Sequence, residues 1–367
     1  MSRTIKIAAV QMDAAPAPVD TRLERAAELI AEAASSGAQL IVLPEVFNTG
    51  YEYADANYGL AEPLNGTTVT WMKTLAATHK IHLAGSLMLL DGRHVYNALL
   101  LVAPDGRLWR YNKNYPWAWE RAYFREGQGI TIADTELGNL GLMICWDYAH
   151  PDLWAQYAGK VDALVITSCP PTSEAVMLPD GTRLALTPEL YYAGRDMPFG
   201  AELDEHVAWL GVPAVHTSTS GTLNTKLPLP SVSLAGFLAT RPDLWKHLPD
   251  ASAAHLECGY FPQTKIIDAH GQVLSRVTET GDRFTLSEVE IADTPPQPAD
   301  VQPSFKLTPI TYFVSDWLTP GLMTTLYQTG LRRQFGSQMA PLDRGTKLGL
   351  MGMAGAFLAG WWLGRQR

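Results

Sequence analysis

Three residues of different chemistry each stand at the end of a predicted strand: Glu45, Lys113 and Cys145. A carboxylate can take the proton of a thiol, an ammonium can stabilise a developing oxyanion, and a sulfur can attack an electrophilic carbon. A free thiol has a pKa of about 8.5, so at neutral pH it needs a neighbouring base or cation to become reactive. Because ligands of α/β sheets bind outside the carboxyl ends of the strands, we expect the three side chains to converge.

Each of these residues also has an ordinary structural interpretation. Cys145 would be a buried core residue, since free cysteine usually behaves as a small hydrophobe. Glu45 would be a helix-initiating charge and Lys113 a solvated lysine at a strand end, because most charged residues lie at the surface. Taken one at a time, the structural interpretation is the commoner one. The catalytic hypothesis therefore depends on the combination.

Cys145 lies at a predicted bend between a strand and a helix. The apolar run over residues 140–144 indicates a buried strand, and His150-Pro151-Asp152 is typical of a helix that begins with proline in its first turn. A thiol at such an elbow is expected to be exposed, with fixed backbone N–H groups beside it. That is a suitable geometry for attack on an electrophilic carbon.

Strands and helices alternate along most of the chain. Strands are predicted over residues 4–12, 39–43, 81–89, 96–102, 107–113, 140–144, 162–167, 212–216, 265–268 and 272–277. Helices are predicted from Asp20, as N-cap, to Gly37, over residues 67–79, after Pro151 and ending near Trp209. The alternation predicts an α/β fold, and we expect a four-layer α-β-β-α sandwich. Residues 178–204 and 226–259, rich in Pro, Leu and Gly, are interpreted as long surface loops.

Composition limits the function. The 367 residues, 47% hydrophobic and 18% charged, can fill one large core with appendages. A net charge of -9 argues against nucleic acid as the main partner. The three cysteines, Cys145, Cys169 and Cys258, form no disulfide framework, and the absence of CxxC and HExxH motifs suggests no metal. The N-terminal segment enters a strand directly, so a cleaved secretory signal is not expected.

Three strings carry a family resemblance: QLIVLPEVFNTGY, YNKNYPWAWERAYFREG and GLMICWDYAHPDLW. They resemble, in order, the glutamate, lysine and cysteine motifs of the nitrilase superfamily of carbon-nitrogen hydrolases. Two later strings, EHVAWLGVPAVHTSTSG and FPQTKIIDAHGQVLSRV, are similar to the closing strands of that family. The resemblance covers roughly residues 5–291.

The resemblance implies roles for five residues. Cys145 matches the nucleophile, Glu45 the general base and Lys113 the lysine that stabilises the intermediate. Glu120 matches a second glutamate that positions substrate and lysine, and the backbone N–H of Trp146 would complete the oxyanion site. The implied reaction is attack of the thiolate on an amide carbonyl or nitrile carbon, loss of ammonia or amine, and hydrolysis of the thioester. The family also implies the four-layer sandwich, no metal or organic cofactor, and a homo-oligomer, dimer or larger.

The substrate is less well specified. Asp147 gives the motif CWD, whereas the nitrile-cleaving branch typically has CWE, which favours an amide or carbamoyl substrate and leaves nitriles open. Trp117, Trp119 and Tyr148 crowd the catalytic loops and are predicted to bind an aromatic or otherwise apolar acyl group. Packing within the fold or at a subunit interface is the alternative, because aromatic residues dominate both.

The composition changes after the hydrolase region. We divide the chain into a carbon-nitrogen hydrolase domain (1–295), a linker with a candidate interfacial helix (296–345), and a candidate C-terminal transmembrane helix (346–367). Residues 348–364 are 17 residues without a charge. As a helix they span about 26 Å, close to the roughly 30 Å core of a bilayer. Small residues recur at every fourth position and tryptophans adjoin the terminal arginines, as in membrane helices: Gly352, Ala356, Gly360, Gly364, Trp361 and Trp362.

Each of these C-terminal predictions has an alternative. The apolar tail could instead dock on the soluble domain, although its five glycines make a poor helix in water. A helix lying on anionic lipid is predicted upstream of the tail. The pattern consists of apolar residues followed by two arginines: Leu322, Met323, Leu326, Tyr327 and Leu331. Packing on the protein surface would produce the same pattern.

The leading hypothesis is a thiol carbon-nitrogen hydrolase held by residues 346–367 at the cytoplasmic face of a lipid bilayer. A cytoplasmic soluble enzyme is the alternative localisation. A non-catalytic, membrane-associated scaffold on the same sandwich is the alternative function. Intact Glu45, Lys113, Glu120 and Cys145 argue against the scaffold, since it has no need of all four. Serine hydrolase chemistry lacks its GxSxG signature.

Overall fold

The structure is a computed structural model that describes residues 3–186, 199–305 and 307–336. Its strands are β1 Arg3–Asp13, β2 Leu40–Val42, β3 His82–Asp91, β4 His94–Val102, β5 Leu108–Asn112, β6 Ile132–Thr135, β7 Gly138–Ile144, β8 Ala163–Thr167, β9 Thr172–Met177, β10 Arg183–Ala185, β11 Ala214–Thr217, β12 Thr219–Lys226, β13 His255–Tyr260, β14 Lys265–Ile267, β15 Val273–Arg276 and β16 Arg283–Ile291. Its α-helices are α1 Val19–Ser35, α2 Ala56–Gly59, α3 Thr67–His79, α4 Pro151–Tyr157, α5 Ala201–Leu210, α6 Pro230–Phe237, α7 Pro309–Tyr312 and α8 Thr319–Phe335. Tighter helical turns cover Ala118–Ala122, Cys145–Ala149 and Pro242–Ala253, and a π-helical turn covers Phe313–Leu318.

The strands form two sheets. The larger has the order β10-β9-β13-β12-β1-β2-β3-β4-β5, with β16 also paired to β1, and the smaller has the order β15-β14-β11-β8-β7-β6. Strand β1 shows why both faces of the large sheet are covered, because its side chains alternate with period two. Ile5, Ile7 and Ala9 pack into the core between the sheets, whereas Ala8 and Val10 pack toward the helices on the other side.

Helices cover the outer face of each sheet. Ile30 of α1 and Met72 of α3 are buried in the apolar cluster on the outside of the large sheet. Trp154 of α4 and Val207 of α5 are buried in the cluster that includes the small sheet. The predicted α/β fold with four α-β-β-α layers is therefore confirmed.

Most predicted elements are present in the structure. In the N-terminal half, one predicted helix has the predicted bounds, and the predicted N-cap of another helix was wrong. The helix predicted over residues 67–79 is α3, Thr67–His79. The first helix begins at Val19 with Pro18 as its N-cap, so the prediction of Asp20 as N-cap was wrong. Asp20 lies in the first turn, where its charge still favours the positive end of the helix dipole.

The prediction of a surface loop over residues 226–259 was wrong in part. This segment contains β13, which pairs with β12 on one side and with β9 on the other, and so extends the large sheet. In the first loop, β10 pairs with β9, and residues 187–198 lie outside the described part. Frequent Pro, Leu and Gly obscured the short strands, because tertiary pairing decides strand formation more than local propensity does.

The segment after β16 packs on the hydrolase domain. Helix α8 buries Met323, Tyr327 and Leu331 in one cluster with Tyr58 and Tyr123. The apolar face predicted to lie on lipid thus contacts protein at these three residues. Packing on the protein surface was the alternative prediction. Within the three described ranges, no helix has the length and apolarity needed to cross a membrane. The candidate transmembrane helix, residues 346–367, lies outside the described residues.

Candidate active site

The predicted charged residues meet in one buried cluster. Glu45 follows β2, Lys113 follows β5, and Glu120 lies in the helical turn Ala118–Ala122. The Lys113 Nζ donates to Glu45 Oε1 at 2.8 Å and lies 2.6 Å from Glu120 Oε2. All three side chains are almost completely buried. Two strand ends and one helical turn therefore bring together a carboxylate-ammonium-carboxylate triad, in which the strand-end argument predicts the meeting of Glu45 and Lys113.

Glu45 is held by one of its two oxygens. Its Oε1 accepts a hydrogen bond from Asn97 Nδ2 at 2.6 Å as well as the bond from Lys113. Asn97 is fixed in turn by Ser86, whose hydroxyl donates to Asn97 Oδ1 at 2.9 Å. Glu45 Oε2 is buried and has no hydrogen-bond partner within the part of the chain that the structure describes. One oxygen thus orients the carboxylate, and the other can accept a proton.

Cys145 lies directly after β7, at the first residue of the helical turn Cys145–Ala149. Its φ is +46°, in the left-handed region that side chains other than glycine rarely adopt. Such strained residues persist where the surrounding structure holds them, often at functional sites. The residue is only 7% exposed, so the prediction of an exposed thiol was wrong. Aromatic side chains from neighbouring loops cover the elbow.

Burial sets the protonation states of the thiol and the lysine. Burial and the Glu45 carboxylate raise the pKa of the Cys145 thiol well above its ordinary value, against the lowering effect of Lys113. At neutral pH the sulfur is therefore protonated at rest and needs a base to react. Burial lowers the pKa of the Lys113 ammonium, but the acidic groups around it, Cys145, Glu120 and Glu45, together raise it well above its ordinary value. Lys113 consequently remains cationic.

Glu120 has the environment of a positioning carboxylate. Its Oε1 accepts from the Tyr51 hydroxyl at 2.8 Å, and its Oε2 accepts from the Trp117 backbone N–H at 2.5 Å. Burial raises the pKa of Glu120 to about 7, although Lys113 acts to lower it. The ordinary value is 4.5, so the folded protein holds this proton more tightly than the unfolded chain.

We expect this pKa shift to appear in the stability of the protein. Because the native pKa of Glu120 is raised, the free energy of unfolding should fall as the pH rises from about 4.5 to about 7. Glu120→Gln mimics the protonated side chain, so its melting temperature should fall less over that interval. Thermal unfolding at several pH values, with Glu28→Gln on the exposed face of α1 as control, tests this. An unchanged pH dependence in Glu120→Gln would contradict the assignment.

Asp147 joins the cysteine elbow to the lysine loop. Its Oδ1 accepts from the Tyr115 backbone N–H and its Oδ2 from the Tyr111 hydroxyl, both at 2.7 Å. These two residues flank Lys113, so Asp147 fixes the loop that carries the lysine. Burial raises the pKa of Asp147 to about 6. From its place in the sequence, Asp147 was expected only to indicate the substrate class. Its position two residues after Cys145 is the signal for its role in the fold, whereas the sequence carries no such signal for Asn97 or Tyr51.

A cavity that is partly open to solvent lies beside Cys145. Its aromatic lining consists of Tyr51, Tyr53, Trp117, Trp146, Tyr148 and Phe199. Trp117 and Tyr148 therefore lie where they were predicted. Trp119 is not part of the described lining: its ring packs edge-on against Tyr53 at 5.3 Å and against Phe237 at 5.9 Å. Within residues 3–186, 199–305 and 307–336, no group of three or more His, Cys, Asp and Glu side chains has an arrangement for metal binding.

The fold and the site define a class: an α-β-β-α sandwich with a thiol, a lysine and one glutamate at strand ends and a second glutamate in a helical turn. A family model described as carbon-nitrogen hydrolase matches residues 6–185. This match supports membership of the nitrilase superfamily of carbon-nitrogen hydrolases.

Three similar proteins illustrate the relationship. A nitrilase of Pyrococcus abyssi is 32% identical over 152 residues, which cover 40% of this chain and 58% of that protein. A bifunctional nitrilase/nitrile hydratase of Lupinus angustifolius is 31% identical over 195 residues, 47% of this chain and 54% of that protein. The chain thus spans little more than half the length of these curated relatives. The solved amidase from Nesterenkonia sp. superposes with a TM-score of 0.56 at 17% identity, covering 79% of this chain and 91% of the amidase, and shows the shared fold.

Proposed function

We propose that this protein is a thiol hydrolase that cleaves a non-peptide carbon-nitrogen bond through a covalent thioester on Cys145. The observation that carries the proposal is the buried cluster in which Lys113 bridges Glu45 and Glu120 beside the strained cysteine elbow. A purely structural interpretation of a buried ammonium between two carboxylates is weak, because desolvation of such charges costs free energy that their attraction often fails to offset.

In the proposed reaction, Glu45 Oε2 accepts the thiol proton while the Cys145 sulfur bonds to the carbon of the amide or nitrile. Lys113 and the backbone N–H of Trp146 stabilise the negative charge that develops on the oxygen or nitrogen of the substrate. For an amide, the proton passes to the nitrogen, the carbon-nitrogen bond breaks, and ammonia or amine leaves. Glu45 then takes a proton from water, which attacks the thioester and releases the acid and the thiol.

The described lining favours an uncharged acyl group. The charged lining residue is Glu120, which is already paired with Lys113, and the remaining described lining is mainly aromatic. A charged acyl group would lose its hydration here without gaining a partner. We therefore propose an aromatic or otherwise apolar acyl group in contact with Trp117 and Tyr148, with Trp119 behind Tyr53.

The chemical class of the scissile bond is an amide or carbamoyl bond in our proposal, with a nitrile as the alternative. The comparison proteins carry the names of both nitrilases and amidases. Asp147 supports the choice only indirectly, because both of its oxygens bond to the lysine loop. In this proposal Asp147 acts on substrate selection through the loop that carries Lys113.

A matched substrate panel tests the proposal. It contains an aryl-alkyl amide, the corresponding carbamoyl compound and nitrile, and analogues of each with a carboxylate or ammonium on the acyl group. We expect ammonia or amine release from the uncharged amide or carbamoyl compound, with kcat/KM at least about tenfold lower for the charged analogues. Mass spectrometry should detect an acyl adduct on Cys145. A preference for charged acyl groups would contradict the proposed pocket.

Membrane attachment through residues 346–367 and assembly into a homo-oligomer remain proposals that rest on the sequence pattern and the family resemblance. Fractionation of the chain with and without those residues tests the first, and the mass in solution tests the second. Neither affects the chemistry proposed at Cys145.

A further inference from the structure

The segment that follows β16 reaches back to the cysteine elbow. Asp316, in the π-helical turn Phe313–Leu318, accepts a hydrogen bond at Oδ1 from Trp146 Nε1 at 2.7 Å. Its Oδ2 lies 3.0 Å from Nε2 of His150. The Tyr312 hydroxyl donates to the backbone oxygen of Ala149 at 2.7 Å. Both side chains lie outside the range that the family model matches, yet they contact the turn that begins at Cys145.

His150 contacts both the elbow and Asp316. Its Nδ1 lies 3.0 Å from the backbone oxygen of Trp146, which can only accept, so Nδ1 donates. Its Nε2 faces the Asp316 carboxylate, and a carboxylate also accepts. The imidazole therefore links the backbone oxygen of Trp146 to the Asp316 carboxylate. The two side chains are 8% and 21% exposed, so water screens the pair only weakly.

The same imidazole contacts the lysine loop. The Tyr115 ring stacks on His150 with centroids 3.5 Å apart and an interplanar angle of 3°. The Tyr115 backbone N–H donates to Asp147 of the elbow. Asp316 thus holds a unit in which the elbow and the loop after Lys113 are packed together.

Helix α8 of the same segment contacts the turn that carries Glu120. The Arg121 guanidinium lies over the Tyr327 ring, 5.9 Å from its centroid. The Tyr327 hydroxyl accepts from the Val95 backbone N–H at 3.1 Å. Residues 307–336 therefore contact both sides of the site, the cysteine elbow and the glutamate turn.

We propose that Asp316 is a positioning residue for the reaction assigned to Cys145, and that residues 307–336 form an intrachain brace for the catalytic loops. This inference rests on the proposed function. The left-handed backbone at Cys145 is strained, so the elbow needs support from outside its own turn. Asp316 supplies it by fixing Trp146, whose backbone N–H follows the nucleophile, and His150, which ends the turn. Loss of this support should misalign the sulfur and the oxyanion donor.

Two variants and a matched control test the brace. Asp316→Ala removes both bonds, whereas Asp316→Asn can accept from Trp146 and donate to a neutral His150. Asp300→Asn makes the same chemical change at an exposed site of the segment. We expect Asp316→Ala to lower kcat per titrated Cys145 by about tenfold to 100-fold with KM within about threefold of the parent. Asp316→Asn should retain most of the activity, and Asp300→Asn all of it.

Hydrogen exchange in the elbow peptide, residues 141–154, provides a readout without substrate. Exchange should accelerate in Asp316→Ala and stay unchanged in Asp300→Asn. If the parent turns over no substrate, the proposed function fails. The hydrogen-exchange measurement still tests whether residues 307–336 brace the elbow. Should Asp316→Ala fail to fold, Tyr312→Phe, which removes only the bond to Ala149, should still accelerate exchange and lower kcat per thiol by about threefold.

A merely structural role predicts a different result. It would lower the melting temperature and the fraction of titratable Cys145, but leave kcat per titrated thiol unchanged. A folded Asp316→Ala protein with kcat per thiol within about twofold of the parent would therefore overturn the inference. If Asp316→Ala does not fold, unchanged exchange and kcat in Tyr312→Phe would overturn it.

Discussion

Replacing Cys145 with alanine is expected to abolish the release of ammonia or amine from every substrate that the parent turns over. Removal of a nucleophile that acts with a general base costs at least about 10⁴-fold in kcat, which leaves only background hydrolysis. Cys169, which also lines the cavity, offers no replacement, because its sulfur accepts a hydrogen bond from Thr219. Steady-state assays with the best substrate of the panel measure the loss.

Cys258→Ala is the matched control for this substitution. Cys258 is a buried free cysteine of β13 that does not belong to the described lining of the cavity. We expect Cys258→Ala to retain turnover and the mass adduct, whereas Cys145→Ala loses both. Unchanged turnover in Cys145→Ala would contradict the assignment of the nucleophile. The non-catalytic scaffold would be favoured by a different result. In that case neither small thiol electrophiles nor any substrate of the panel would modify Cys145 in the parent protein.

The strand-end geometry is the part of the site that the sequence predicts best. Glu45, Lys113 and Cys145 each follow a short apolar run, and topology alone brings the ends of such strands together. Periodicity does not specify which side chains support them. Asn97 lies within β4 and Asp147 within the elbow, and their roles depend on side-chain directions that only the folded chain defines.

Burial at the elbow illustrates a second limit. The sequence predicts the bend at Cys145, but the aromatic side chains that cover the thiol come from loops far away in the chain. Tyr51 and Phe199 belong to such loops and line the cavity with it. The same limit applies to Trp119, which follows Trp117 by two residues but packs against Tyr53 and does not belong to the described lining of the cavity.

Helix α8 shows a third limit of prediction from the sequence. The spacing of Met323, Tyr327 and Leu331 predicts one apolar face, but the pattern is the same whether that face meets lipid or protein. In the structure it meets the domain near the glutamate turn, where Tyr327 contacts Arg121. The identity of a partner surface is long-range information, so it could not be read from α8 itself.

Glu45→Gln is expected to produce the second largest loss of turnover, by about 10² to 10⁴-fold in kcat. The amide oxygen of glutamine can still accept from Asn97 and Lys113, which both bond to Oε1 in the parent. The amide nitrogen would replace Oε2, the oxygen without a partner among the described residues. The substitution therefore removes the base while keeping the hydrogen bonds that orient it.

The same variant should make the thiol easier to ionise. The Glu45 carboxylate raises the pKa of Cys145, so its removal should lower that pKa, and alkylation of Cys145 should become fast at a lower pH. Turnover and alkylation are thus expected to move in opposite directions, which no loss of folding would produce. The pH profile of alkylation and kcat per titrated thiol measure the two effects, with Glu28→Gln as the control. If Glu45 served only as an ionic partner of Lys113, kcat per thiol would stay near the parent value while the melting temperature fell, and the general-base role would be wrong.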